Sequence, residues 1–181
     1  ETSIKVPTPN KWDGVRKANM SFGQGISMTQ IQIITALNIL VNDGKRMRPY
    51  VVDKIVDGNG KVIKENKPVI EEVVFSPDVA REVRRVMESV VDKGTGRGTR
   101  IQGYKIGGKT GTAQKAGSRG YLGGGYVSSF FAFFPVDKPK YTILVTIDEP
   151  KGQYYGAQVA LPTVKAMIEK IIKYKGIKPN G

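Results

Sequence analysis

The 181-residue chain contains no cysteine and no histidine. The first absence removes disulfides, thiolate nucleophiles and zinc–thiolate sites; the second removes imidazole as a base or metal ligand. A proton-transfer group here has to be lysine, a carboxylate or tyrosine. Long apolar runs are also missing: no stretch approaches the roughly 18 residues that a membrane-crossing helix needs. The N-terminal residues lack the charged start and apolar run of a signal peptide, so any anchor is expected outside this sequence. Apolar residues make up 39% and charged residues 25%, a balance that suits a folded domain with a sizeable core. The formal net charge is +13. Because the lysines and arginines are scattered rather than gathered into an arm, this excess reads as a solvated basic surface, and no nucleic-acid partner is expected.

Residues 1–25 read as coil, with Pro7, Pro9 and Asp13-Gly14 as breakers and Trp12 set against a core edge. Thr29 and Gln32 have the spacing of a capping box. They open a helix whose apolar positions are Ile33, Ala36, Leu37, Leu40 and Val41 and which closes at Gly44. Asp57-Gly58 and Asn59-Gly60 place a turn between two short strands over residues 49–62. Ser76 and Pro77 begin a second helix, with Val79, Val83, Val86 and Val90 on one stripe and Arg81, Arg84 and Arg85 facing elsewhere. The following "KGTGRGTRIQG" reads as a flexible glycine-rich loop.

From Tyr104 the period changes. Three antiparallel strands are expected over residues 104–114, 125–134 and 141–148, with Asp137–Pro139 turning between the last two. Gly107 and Gly108 imply a bulge or a close backbone approach. A closing helix over residues 157–174 buries Val164, Met167, Ile168, Ile171 and Ile172, and Pro162 sits in its first turn or bends it. The fold class is therefore α+β, a layered α/β arrangement of one sheet packed by helices.

The candidate chemistry lies in "GGKTGTAQ". In a regular strand Lys109 and Thr110 face opposite sides. Gly111, lacking a Cβ, lets an extended ligand lie against the strand edge and pair with its backbone. The Thr112 N–H is then offered to a carbonyl oxygen, while the Thr110 and Thr112 hydroxyls and the Lys109 charge suit a carboxylate. The plain alternative is an ordinary turn, since Lys-Thr-Gly is only a tripeptide. A phosphate loop is the other alternative: "GYKIGGKT", beginning at Gly103, fits GxxxxGK[ST]. That loop needs an apolar strand before it and a helix after it, and "GTAQKAGSRGYLGGG" is too glycine-rich for the helix. Asp53, Asp148 and Glu149 read as caps or surface groups. Tyr121, Tyr126, Tyr154 and Tyr155 read as packing residues near a cleft, and Arg97 and Arg100 as solvated loop residues. Residues 119–125 form either a cover or a simple connection.

Several segments, in order along nearly the whole chain, share one resemblance: "NMSFGQGISMTQIQI", "KTGTAQ", "GYVSSFFAFFPVDKPKYTILVTIDEP" and "YYGAQVALPTVKAMIEKII". Together they resemble the C-terminal part of a class B penicillin-binding protein transpeptidase domain, and "VTIDEP" is closer to the cell-division (septal) type than to the elongation type. The resemblance implies a β-lactamase/transpeptidase-like fold whose sheet takes two further strands from earlier sequence. It implies catalytic roles for Lys109 and Thr112, with Lys109 positioning substrate and the Thr112 amide in an oxyanion hole. Thr110, Gly111, Thr112 and Gln114 would bind substrate, with no metal and no cofactor. The implied partners are the peptidoglycan stem peptide, β-lactam antibiotics, the upstream part of the same protein and division proteins. The implied location is the outer face of a bacterial cell membrane.

That family also uses S-x-x-K, which supplies the acylated serine and its lysine, and S-x-N. No serine here has a lysine three residues on, and no S-x-N occurs. Residues 1–181 are accordingly expected to be the C-terminal portion of such a domain, inactive alone. The competing reading is a non-catalytic binding or scaffold domain of the same fold.

Overall fold

The computed structural model describes residues 8, 10, 12–115 and 124–181. It is α+β. Helices α1 (Gly14–Ser21) and α2 (Gln30–Val41) come first. Four short strands follow: β1 (Lys45–Met47), β2 (Lys54–Val56), β3 (Val62–Glu65) and β4 (Ile70–Val73). Next are α3 (Pro77–Lys93), a 3-10 turn (Arg97–Thr99), β5 (Gly107–Gln114), β6 (Tyr126–Phe134), β7 (Tyr141–Asp148), α4 (Gly156–Val159) and α5 (Leu161–Lys175).

The main sheet has the order β5-β6-β7 and is antiparallel throughout. Successive residues of a strand face opposite sides. Phe131 and Phe133 on β6 therefore enter one core cluster, with Val41, Met87, Val136 and the half-buried Ile34, Leu37 and Leu40 of α2. Phe130, Ala132 and Phe134 enter the other, with Ile143, Leu161, Val164 and Ile168. The sheet is thus the middle layer, with α2 and α3 on one face and α4 and α5 on the other. The strands lie where the alternation puts them, except that the first begins at Gly107 rather than Tyr104. Residues 101–105 are held instead by the C-terminal segment: the Tyr104 hydroxyl donates to Ile177 O (2.8 Å), and Asn180 N donates to Gly103 O (2.8 Å). At Gly107 a Cβ would lie 2.2 Å from the Phe133 ring, so the paired glycines mark a close approach, and the register runs unbroken from Gly107 to Gln114 without a bulge.

Local chemistry accounts for most helix ends. Thr29 and Gln32 form the reciprocal capping box, and the Ser76 side chain accepts from Val79 N with Pro77 in the first turn. Pro162 sits in the first turn of α5, and the expected closing helix is split at Ala160 into α4 and α5. Gly176, at φ 59°, ends α5. The hairpin turns where expected, since Asp57 Oδ1 accepts from Asn59 N and Lys61 N (both 2.9 Å), and its second strand continues to Glu65.

Three expectations are corrected, and one strand pairing is new. Residues 14–21 are helical, not coil: Asp13 Oδ1 caps the turn by accepting from Arg16 N (2.6 Å), and the helix buries no residue, so it carries no apolar stripe to reveal it. The buried residues of α3 are Ala80, Arg84, Met87 and Val91, a stripe of the expected spacing turned by one residue, so that Val86 is 65% exposed. Arg84 is the charged member of this stripe. Its guanidinium donates to Asp43 Oδ1 (3.0 Å) and to Val41 O (3.3 Å) at the end of α2, which lets the side chain go inward at 6% exposure. In α2, Ala36 is exposed, and in α5, Met167 is exposed; the core takes Ile34 and Leu161 beside the expected neighbours. Finally, β1 pairs with β4, a nonlocal pairing with ion pairs from Arg46 and Arg48 to Glu71 that no local pattern announces.

Asp43 sits at φ 51°, a conformation that asparagine also tolerates, so Asp43→Asn removes charge without backbone strain. It should lower stability by about 1 kcal/mol, read as a shifted urea midpoint; an unchanged midpoint would remove Arg84–Asp43 as the tie between α2 and α3. Glu88 on α3 has its pKa raised above the ordinary 4.5, first by burial, against the pull of Lys105, with Asp92 and Asp137 adding to the rise. An acid so raised makes ionisation costly to the fold, and that cost disappears as pH falls through the raised value toward the ordinary one. Glu88→Gln should therefore raise the melting temperature at pH 7 and lose the advantage near pH 4, and melts at the two pH values decide it.

Candidate active site

Strand β5 is an edge strand, with no strand on its outer side among the described residues. Which of its amides face that open side follows from one bond. Lys115 N donates to Gly125 O (2.8 Å), continuing the β5–β6 register by one pair. Hydrogen-bonding residues alternate in an antiparallel ladder. Ala113, Gly111 and Lys109 therefore turn their backbone groups toward β6, while Gln114, Thr112 and Thr110 turn theirs outward. The Thr112 N–H and the Thr110 N–H and C=O are on the open edge.

The side chains divide the other way. Lys109 and Gly111 lie on the α2–α3 side, opposite Phe131 and Ser129; Thr110, Thr112 and Gln114 share the α4–α5 side, opposite Phe130, Ser128 and Tyr126. Lys109 is exposed, and its Nζ donates to Thr110 O (2.8 Å), occupying one acceptor of the edge. The Thr112 hydroxyl accepts from Gly156 N (3.2 Å), the first residue of α4. The Thr110 hydroxyl lies 3.1 Å from the Thr95 hydroxyl. Gln114 is half-buried at the strand's end, about 7 Å beyond Thr112 on the same face. At Gly111, the missing Cβ leaves room for Ser129 Oγ, which would be 2.5 Å away.

Two contributors come from far along the chain and were not among the sequence candidates. Gly156 is buried and packed so closely that a Cβ would lie 2.3 Å from Ser129 O and 2.6 Å from Gly111 O, so only glycine brings an amide to Thr112 here. Thr95 belongs to the glycine-rich segment expected to be flexible. That segment is packed instead: Cβ atoms at Gly94 and Gly98 would lie 2.9 Å from Val90 O and 2.8 Å from Leu161 Cδ2, and Thr99 is fully buried. The alternation of glycine with threonine in "GTGRGT" was the available signal, since glycines at every second position permit close packing as readily as motion.

Around the strand, Tyr126 stacks on Tyr154 (4.2 Å between centroids), and the Tyr155 ring lies tilted against Tyr154 (4.5 Å). The Tyr154 hydroxyl donates to that of Tyr155 (3.2 Å), which raises the Tyr154 pKa. Ser128 Oγ donates to Tyr154 O and fastens this segment to β6. Asp148 and Glu149 pair with Lys115 Nζ (2.6 and 2.9 Å), and these hydrogen bonds raise the lysine's pKa. They brace the end of β5. Asp53 is remote from the sheet, on the loop before β2. Arg97 and Arg100 are exposed. Tyr121 and residues 119–123 lie outside the described residues.

Taken together, the edge offers an outward amide at Thr112, two hydroxyls on one face and an ammonium at its rim. This set can hold an extended ligand by its backbone and a carboxylate by its oxygens. Gly156→Ala should drive α4 off the sheet, lowering the melting temperature by several degrees and speeding hydrogen exchange at the residue-156 amide. A melting temperature equal to that of the parent would show that the close contact is not required.

The family model described as penicillin binding protein transpeptidase domain matches residues 2–169. Stage V sporulation protein D of Bacillus subtilis is 38% identical over 168 residues, which is 92% of this chain and 26% of that protein. A peptidoglycan D,D-transpeptidase FtsI homolog of Mesostigma viride is 37% identical over 92% of this chain and 30% of that protein. The apo transpeptidase domain of penicillin-binding protein 3 from Burkholderia pseudomallei superposes with a TM-score of 0.79 at 32% identity, over 98% of this chain and 51% of that one. The chain thus spans between about a quarter and a half of the length of these relatives. It belongs to the penicillin-binding protein transpeptidase family, in the class B branch.

Proposed function

We propose that this chain is the substrate-gripping part of a serine D,D-transpeptidase that cross-links peptidoglycan stem peptides and is acylated by β-lactams. The observation that carries the reading is the open β5 edge, with the Thr112 amide turned outward and two hydroxyls beside it. A donor peptide lies along that edge as an added strand. Its terminal carboxylate takes hydrogen bonds from the Thr110 and Thr112 hydroxyls, and Lys109 supplies positive charge nearby. A serine from the S-x-x-K segment, supplied by polypeptide outside this sequence, attacks the carbonyl carbon of the penultimate D-alanine. The carbonyl oxygen becomes an anion, which the Thr112 N–H stabilises. The lysine of that segment takes the serine's proton and passes it to the leaving nitrogen as collapse breaks the peptide bond, and D-alanine departs. The acyl-enzyme then passes its acyl group to an amine of a neighbouring stem. A β-lactam enters by the same contacts and halts after acylation. No metal or cofactor takes part in this scheme. The protein works at the outer face of the cell membrane, in division or in a sporulation-type variant of it, beside other division proteins.

The test uses the gene product that contains this chain together with its S-x-x-K segment. Fluorescent penicillin should label it, and Lys109→Met should slow labelling by on the order of 10²-fold. Peptide mapping should place the adduct outside residues 1–181. An adduct within them would overturn the assignment of the serine, and absence of labelling would favour the scaffold reading.

A further inference from the structure

The two threonine hydroxyls on the α4–α5 face of β5 each have a hydrogen-bonding group behind them, and the two groups differ in kind. Behind Thr112 is the Gly156 N–H, a donor that cannot reverse. Behind Thr110 is the Thr95 hydroxyl, at 3.1 Å, which can donate or accept. A carboxylate offers only lone pairs. To bind it, Thr110 and Thr112 must both point their single hydrogens outward, and each then has oxygen lone pairs facing back into the protein. Thr112 has those lone pairs met by a backbone donor. Thr110 has them met only if Thr95 donates.

We propose that Thr95 is a positioning residue for the carboxylate: it donates its hydrogen to Thr110 Oγ1, which fixes the Thr110 hydrogen toward the ligand. This inference rests on the transpeptidase reading and deepens it. The chain Thr95 O–H to Thr110 O–H to carboxylate runs in one direction, and each bond polarises the next. Parallel to it runs the chain from Gly156 N–H through Thr112. The structure supports a built position for Thr95 in a second way. Gly94 and Gly96 flank it, a Cβ at Gly94 would strike the Val90 carbonyl oxygen at 2.9 Å, Gly98 packs on Leu161, and Thr99 anchors the segment in the core. Thr95 itself is exposed, so its hydroxyl is free to serve the site rather than the fold. The arrangement selects for an anion: a neutral ligand, such as an ester in place of the carboxylate, gains little from a fixed and polarised Thr110 hydrogen.

The experiment compares Thr95→Val, Thr95→Ala and Thr95→Ser with wild type in the gene product that contains the S-x-x-K segment. Second-order acylation rates are measured with benzylpenicillin and with its methyl ester, and each protein is melted. Valine and alanine should lower the penicillin rate by roughly five- to tenfold while leaving the ester rate and the melting temperature unchanged. Serine should recover most of the loss. A parallel fall with both ligands, or an unchanged carboxylate-to-ester ratio, overturns the role of Thr95 while leaving the transpeptidase reading in place. Wild-type protein that neither ligand acylates overturns that reading, and this inference with it.

Discussion

The unbroken pairing of β5 with β6 is the constraint on which the rest depends. Eight consecutive residue pairs, from Gly107–Phe133 to Gln114–Tyr126, keep one register. Slipping it by one position would exchange the faces of Thr110 and Gly111 and turn the Thr112 amide inward. The helices hold this register by burying alternate residues of β6 on opposite sides. Phe131 and Phe133 are locked into one cluster and Phe130 and Phe134 into the other, so a slip would empty both. Packing far from the edge therefore sets what the edge presents.

Much of this was legible because the signals are local. A capping box, a Ser-Pro helix start, a pair of Asx-Gly turns and alternating strands each name their structure within a few residues. The edge character of "KTGTAQ" was legible for the same reason, since glycine and lysine are poor residues for a buried central strand. What escaped depended on partners far away. The rotation of α3 was hidden because an arginine stripe reads as solvated until a carboxylate and a helix-end carbonyl are placed beside it. The β1–β4 pairing spans a whole hairpin. Helix α1 has a cap but no apolar face, so only half of its signature is present.

The site divides along the same line. Lys109, Thr110, Gly111, Thr112 and Gln114 lie within one six-residue stretch and were read together. Gly156 and Thr95 reach the same hydroxyls from 44 and 15 residues away. Both arrive through glycine-dependent packing, which in sequence looks like looseness. A glycine whose Cβ would strike a backbone oxygen is a fixed point, and only the three-dimensional neighbours distinguish it from a hinge.

The sheet also has a second border. Strand β7, "YTILVTID", has no strand on its far side among the described residues, although Gln30 reaches across to Thr146 at 2.8 Å. Its β-branched side chains are built for lasting union, whereas β5, broken up by glycine and lysine, makes a poor permanent neighbour. The two margins of one sheet thus differ in kind: glycine and lysine keep one sparse, and β-branched side chains make the other dense.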